Sequence, residues 1–233
     1  MVTKLCVFAL LVSGCAKTES SDLLTSGIYA DLSARATGMG TTTISATLYV
    51  DNPNNLNFVE LTGNDQLIAS YGGQDKVMSQ VELGNIVSHS ADFSTDAEGT
   101  IFTIKLQRSV DAGAPMSMAT LPAKFAIGTV PATASRAAPL TLSWSPSAYT
   151  DAMAWKATGP CIGEVQGVIT GDPGTLTIPA GMIAKAQGQN IPDTCTVTIT
   201  MTRSRPGVLD THYGKGGVGV GSQDRTVTMM SMP

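Results

Sequence analysis

The chain has 233 residues, of which 42% are apolar and only 14% charged, with a formal net charge of −4. That apolar share suffices for a packed core and excludes general disorder, and low charge with abundant Thr, Ser and Gly suits an exported β protein better than a cytosolic helical enzyme. The charge divides unevenly, with 11 acidic and 5 basic residues from Asp22 to Gly128 against 6 and 7 from Thr129 to Pro233, and the lack of any basic run argues against a nucleic-acid partner.

The N-terminus carries the most specific signal. Lys4 supplies a short positive region, Leu5 to Val12 is an apolar run, and Ser13 and Gly14 are the small residues that a processing site needs. This is the layout of a secretory signal peptide. A membrane-spanning helix would need about 20 apolar residues, and here the polar stretch Lys17-Thr18-Glu19-Ser20-Ser21-Asp22 follows at once. Val12-Ser13-Gly14-Cys15 resembles the lipobox of bacterial lipoproteins, in which an aliphatic residue, two small residues and a cysteine close the signal. Leucine is commoner than valine at the first position, but the family admits both. The resemblance implies cleavage between Gly14 and Cys15, a diacylglyceryl thioether on Cys15, and acylation of the new N-terminus. Such a scheme is physically sound, because one acyl chain binds a bilayer only marginally and two or more hold it. Ala16, where an aspartate would otherwise stand, fits sorting to the outer membrane of a Gram-negative cell envelope. Residues 1–14 are thus expected to be a signal peptide and residues 15–26 a lipid-anchored tether.

From residue 27 onward the apolar period is two almost everywhere. Ile28, Ala30, Leu32 and Ala34 share one face, and beyond the Gly38-Met39-Gly40 turn so do Ile44, Ala46, Leu48 and Val50, which predicts a hairpin. Further strands are expected over 57–61, 66–71, 76–83 and 86–93. Ala97-Glu98-Gly99 is expected to close a hairpin into Phe102, Ile104 and Leu106. Residues 112–139 hold Pro115, Pro122, Pro131 and Pro139, and proline belongs at strand edges and connections. Lys124 to Val130 is expected to finish the first sheet, giving a first domain over 27–130 and a second over 131–233.

The second half opens with Leu140, Leu142 and Trp144 on one face, followed by Pro146. This Leu-Thr-Leu-Ser-Trp-x-Pro run resembles the second strand of a fibronectin type III domain, where a buried tryptophan caps the alternation. The likeness covers about 20 residues and implies a sandwich architecture only. An immunoglobulin domain would place its tryptophan between the two cysteines, whereas Trp144 and Trp155 both precede Cys161. Strands are expected around Trp155, over 165–170, at Leu176 and Ile178, from Cys195 to Met201 and over 225–232, with 207–222 a glycine-rich connection. The fold class expected is therefore all-β, two tandem sandwich domains of immunoglobulin or fibronectin III type behind a lipoprotein signal. Cys161 and Cys195 form an even pair in an oxidising compartment and are expected to be disulfide-bonded.

Catalytic and metal motifs are wanting. Gly214-Lys215-Gly216-Gly217-Val218-Gly219-Val220-Gly221 fails the phosphate-loop spacing because glycine follows the lysine, and it is expected to be a flexible loop made modestly basic by Arg203, Arg205, Lys215 and Arg225. The two histidines, His89 and His212, lie one in each half, no GxSxG occurs, and Asp210 with His212 has ordinary spacing. Asp51-Asn52-Pro53-Asn54-Asn55 breaks the calcium-loop pattern at Pro53, and two cysteines with two distant histidines do not compose a zinc site. No catalytic residue, metal ligand or cofactor is expected. The expected function is a non-enzymatic structural or binding module, held to the membrane by its lipid and meeting a protein or glycan partner through its loops. The alternative is an envelope hydrolase or carbohydrate-active enzyme on the same scaffold.

Overall fold

Strands form where side chains alternate between core and solvent. Ile28, Ala30, Leu32, Ala34 and Ala36 are buried while Asp31 and Arg35 between them are exposed. The computed structural model describes residues 16–233; Cys15, Gly14 and the expected signal peptide lie outside the described residues. In chain order the strands of the first half are β1 (Ala16–Glu19), β2 (Ile28–Ala36), β3 (Thr42–Val50), β4 (Asn57–Glu60), β5 (Gln66–Tyr71), β6 (Gln74–Val77), β7 (Ser79–Leu83), β8 (Ile86–Phe93), β9 (Ile101–Gln107) and β10 (Ala114–Thr120). Those of the second half are β11 (Ala126–Ile127), β12 (Thr133–Ser135), β13 (Leu140–Ser145), β14 (Ala152–Thr158), β15 (Val165–Ile169), β16 (Thr175–Ile178), β17 (Cys195–Pro206) and β18 (Val218–Met232).

The fold is all-β and made of two sandwiches. In the first, the sheet β1-β4-β3-β2, with β8 and β7 on the β3 edge, faces the sheet β10-β9-β5-β6. Ile28, Leu32, Leu48, Leu67, Phe93, Phe102 and Ile104 fill the space between. In the second, β17, β14 and β15 face β11-β13-β16 across a core of Leu142, Trp144, Met153, Trp155, Val197, Ile199 and Met201. The Cys161–Cys195 disulfide is present, with Cα atoms 5.6 Å apart. Linking residues 34 apart in sequence stabilises by about 3–4 kcal/mol on the chain-entropy account.

One strand joins the two sandwiches. The first six residues of β18 run parallel to β2, from Val218 opposite Asp31 to Gln223 opposite Ala36, and Met230 to Met232 run parallel to β12 on the same edge. The other edge of β18 is held by β17 from Val220 to Ser231. The largest sheet is consequently continuous through both cores.

Several expectations are corrected. Ala97-Glu98-Gly99 is not a hairpin turn, because β8 and β9 belong to opposite sheets; Phe93 and Phe102 both point into the core between them. The stretch 76–83 is two strands, broken where Met78 turns inward and its N–H bonds Leu67 O. The proline-bearing segment contains β10, which tolerates Pro115 because the ladder with β9 slips between Ala114 and Ser117. Phe125 and β11 pack in the second core rather than finishing the first sheet. Conversely, Leu209 and Tyr213 pack in the first core. Several glycines of 207–221 are close-packing devices: a Cβ at Gly221 would stand 1.9 Å from Thr120 O, and one at Gly207 2.4 Å from Met118 O.

Candidate functional surfaces

The described part of the expected tether, from Ala16 onward, is folded onto the first sandwich. β1 lies parallel to β4, with Ala16 opposite Asn57 and the Ala16 N–H bonding Leu56 O at 3.1 Å. Two 3-10 turns, Ser20–Asp22 and Thr25–Gly27, then lead into β2. Arg108, its side chain wholly excluded from solvent, clamps these turns. Its Nε donates to Asp65 Oδ2 at 3.0 Å, Nη1 to Thr25 Oγ1 at 3.0 Å, and Nη2 to Leu23 O at 2.9 Å and to Ser20 O. Burial pushes the Asp65 carboxyl up, but hydrogen bonds from Ser109 N–H, the Ser109 and Ser20 hydroxyls and Arg108 outweigh it and hold Asp65 below the usual carboxylate range.

β1 therefore starts at one pole of the molecule, the end away from the second sandwich. The same pole carries Gly27, whose carbonyl accepts from Asp51 N–H, and Gly214, whose N–H donates to Ile28 O. Here His212 Nδ1 lies 2.6 Å from Asp210 Oδ1. Burial raises the Asp210 carboxyl, yet bonds from the His212 N–H, the His212 ring and the Met116 N–H together bring it below its ordinary value. The two residues that sequence spacing alone left unremarkable are thus a bonded pair, and His212 stands on the rim of a cleft of about 190 Å³ that Thr25, Ser26 and Asp111 also line. Among the described residues, Asp210 is the hydrogen-bond partner of the His212 ring, and no serine hydroxyl is bonded to it. His89 is far away on β8, buried, with neither ring nitrogen bonded.

The other sequence candidates do not converge. Asp51 to Asn55 makes a turn in which Asn52 Oδ1 accepts from Asn54 N–H at 3.0 Å. Arg203 and Arg205 are taken up by Asp172 and Asp151, at 2.7 and 2.8 Å, so the basic patch expected around Lys215 does not form from them. Among the described residues, no three His, Cys, Asp or Glu side chains gather as a metal site would require, and no helix is long and apolar enough to cross a membrane.

A second surface lies on the outer edge of the second sandwich. β15 is the edge strand, and Trp155, Lys156, Gln166, Gly167, Val168 and Thr202 line an open groove of about 550 Å³ along it. Gly167 is required there, since a Cβ would stand 2.7 Å from Trp155 Nε1.

At the junction of the sandwiches Arg203, expected from the sequence only as part of a basic patch, is wholly buried. Its guanidinium sits between the rings of Phe125 and Tyr149, donates to Ala123 O and Pro146 O, and pairs with Asp172, whose Oδ1 also accepts from Trp144 Nε1 at 2.6 Å. Every partner is distant in sequence, so no local pattern could have marked it.

No protein-family model and no curated protein matches the chain. Among solved structures it is similar to a chain of a cytokine receptor complex, at 11% identity and a TM-score of 0.31, covering 86% of this chain and 94% of that one. It is also similar to the titin domains Z1Z2 in complex with telethonin, at 12% identity and a TM-score of 0.26, covering 88% and 98%. A chimeric titin Z1Z2 carrying a decorin peptide gives 13% and 0.26, covering 87% and 97%. Scores this low carry no assignment, and the architecture stands on the strand pairing itself.

Proposed function

We propose that this is a lipid-anchored protein of the bacterial cell envelope, sorted to the outer membrane, that serves as a non-enzymatic structural or binding module. The observation that carries the reading is the Val12-Ser13-Gly14-Cys15 motif at the end of a short apolar run, one residue ahead of a folded strand. A cysteine pair joined as a disulfide agrees with an oxidising compartment outside the cytoplasm. The second sandwich, at the far end from Ala16, would present its loops and the Trp155–Val168 groove to a protein or glycan. Intact mass of the membrane-extracted protein tests the anchor: a chain beginning at acylated Cys15 is expected, and an unmodified N-terminus elsewhere overturns it.

The Asp210–His212 pair beside Ser26 favours a second reading, an envelope hydrolase. Its histidine is oriented by a carboxylate as a general base would be. Hydrolysis of ester or glycan substrates that is lost in His212→Ala would establish this reading and remove the first.

A further inference from the structure

We propose that the N-terminal pole of the first sandwich is a bilayer-contact surface, seated in the headgroup–acyl boundary of the membrane and setting the molecule upright on it. This rests on the lipid-anchor reading for the place of the membrane and on the fold for the surface. Five large apolar side chains are exposed at or beside that pole: Leu24 (67%), Leu56 (50%), Leu83 (77%), Ile86 (44%) and Val110 (61%). Register puts them together. Ile28 pairs with Val50 at the ends of β2 and β3, which brings Leu24 and Leu56 to the same end. β8 runs antiparallel to β3, with Phe93 opposite Thr42, so its first residue, Ile86, lies toward the Val50 end. Leu83 is the cross-strand partner of Ile86 at the tip of the β7–β8 hairpin. Thr25 N–H donates to Asp111 Oδ2 and Arg108 bonds Leu23 O, which brings the 108–111 segment, and Val110 with it, to the Leu24 end.

The position of Ala16 decides what covers this surface. Its N–H is bonded to the carbonyl of Leu56, and the next Cα back along the chain, that of Cys15, is about 3.8 Å from its own. Acyl chains carried on Cys15 thus enter the bilayer beside Leu56, and no spacer holds the pole away from the surface. Lys17 ties β1 to the hairpin as well, since its Nζ is paired with Glu82 on β7 and with Glu60 on β4 at 3.3 Å. β1, the hairpin tip and the Leu56 turn consequently meet a flat surface together. Exposed apolar side chains rimmed by polar ones mark an interaction site, and interfacial seating of that kind adds to a lipid anchor. The carboxylates of Asp22, Asp51 and Asp111 near the pole favour a zwitterionic headgroup over an anionic one.

The test uses the mature chain beginning at Cys15, in phosphatidylcholine vesicles whose acyl chains carry bromine, a contact quencher of indole. Tryptophan is placed in turn at the pole by Leu56→Trp and Leu83→Trp, and on the far sandwich by Val168→Trp. Emission is compared with the parent, whose Trp144 and Trp155 are buried in the second core. The acylated protein is measured beside chain coupled through Cys15 to a maleimide lipid, Cys161 and Cys195 being bonded to each other. At least twofold stronger quenching at positions 56 and 83 than at 168, in either anchored form, is the result expected. Quenching no stronger at 56 and 83 than at 168 in the coupled chain overturns the contact surface. Absence of acyl mass on Cys15 in cells overturns the anchor reading alone, because the coupled chain still reports on the pole.

Discussion

Arg203 Nη2 donates to Asp172 Oδ2 at 2.7 Å, and neither side chain has any contact with solvent. The pair joins β17 to the loop after β15, and through Ala123 O and Pro146 O it also gathers the connection between the sandwiches and the β13–β14 loop. A buried ion pair contributes little over a well-packed apolar pair, but breaking one by removing a single partner costs about 3–5 kcal/mol. Asp172→Ala should therefore lose stability in that range, since Trp144 Nε1 is orphaned together with the guanidinium. The double change Asp172→Leu, Arg203→Met should recover much of the loss. Urea unfolding of the two variants and the parent checks this; a double variant as weak as the single one would show that the charge is not the cause.

Arg108 predicts a local effect rather than a global one alone. Its guanidinium holds the carbonyls of Ser20 and Leu23 and the hydroxyl of Thr25. Arg108→Met removes these bonds and leaves the Asp65 carboxylate without its cation. Residues 16–27 should then exchange amide hydrogens much faster, while the Cys195 strand keeps its protection. Peptide-resolved hydrogen exchange reads both at once, and unchanged exchange at 16–27 would refute the clamp.

His89 gives the protein a stability that falls on mild acidification. The ring is buried on β8 with neither nitrogen bonded, and burial lowers its pKa below the usual value. Above about pH 6.5 the ring is neutral folded or unfolded, so it adds no pH dependence. Below that, the unfolded chain takes up a proton that the folded chain refuses, and stability is lost until the pH reaches the lowered native value. The slope is at most about 1.4 kcal/mol per pH unit for one proton. Denaturant midpoints between pH 7 and 5.5 should fall for the parent and stay flatter for His89→Leu. Parallel slopes would assign the effect elsewhere.

Gly221→Ala should be among the most damaging small substitutions in the chain. The added Cβ meets the backbone carbonyl of Thr120, which has no rotamer to escape by. β18 must then move off β10, at a cost of several kcal/mol comparable to severe overpacking. Gly40→Ala is a useful contrast, since nothing lies within 4 Å of its Cβ position and only the backbone φ of +77° resists it. Thermal midpoints of the two variants should differ widely, and similar values would refute the packing role.

Local pattern made much of this fold legible. β2, β3, β5, β8 and β13 lie where alternation of Ile, Leu and Ala with polar residues puts them, and Cys195 faces the core as its place among Val197, Ile199 and Met201 requires. What escaped is whatever depends on distant partners. Nothing in Ala-Pro-Met-Ser-Met shows that β10 pairs with β9 through a bulge, and nothing in a polar run marks Ser20 and Thr25 as the ligands of an arginine over 80 residues away. The glycines of 214–221 signal flexibility by composition, yet several serve close backbone approach that only the folded chain reveals. Asp210 and His212 were visible as a pair, but their hydrogen bond was not.

β18 also bears on how the chain is made. The strand that closes the first sandwich against β2 lies at 218–223, far downstream of the strand it covers. An N-terminal half arriving first finds one edge of its sheet open and Tyr213 missing from its core. The first sandwich is complete only once residues 209–223 are in place, and truncating the chain after residue 206 would strip a wall from it rather than trim the second one.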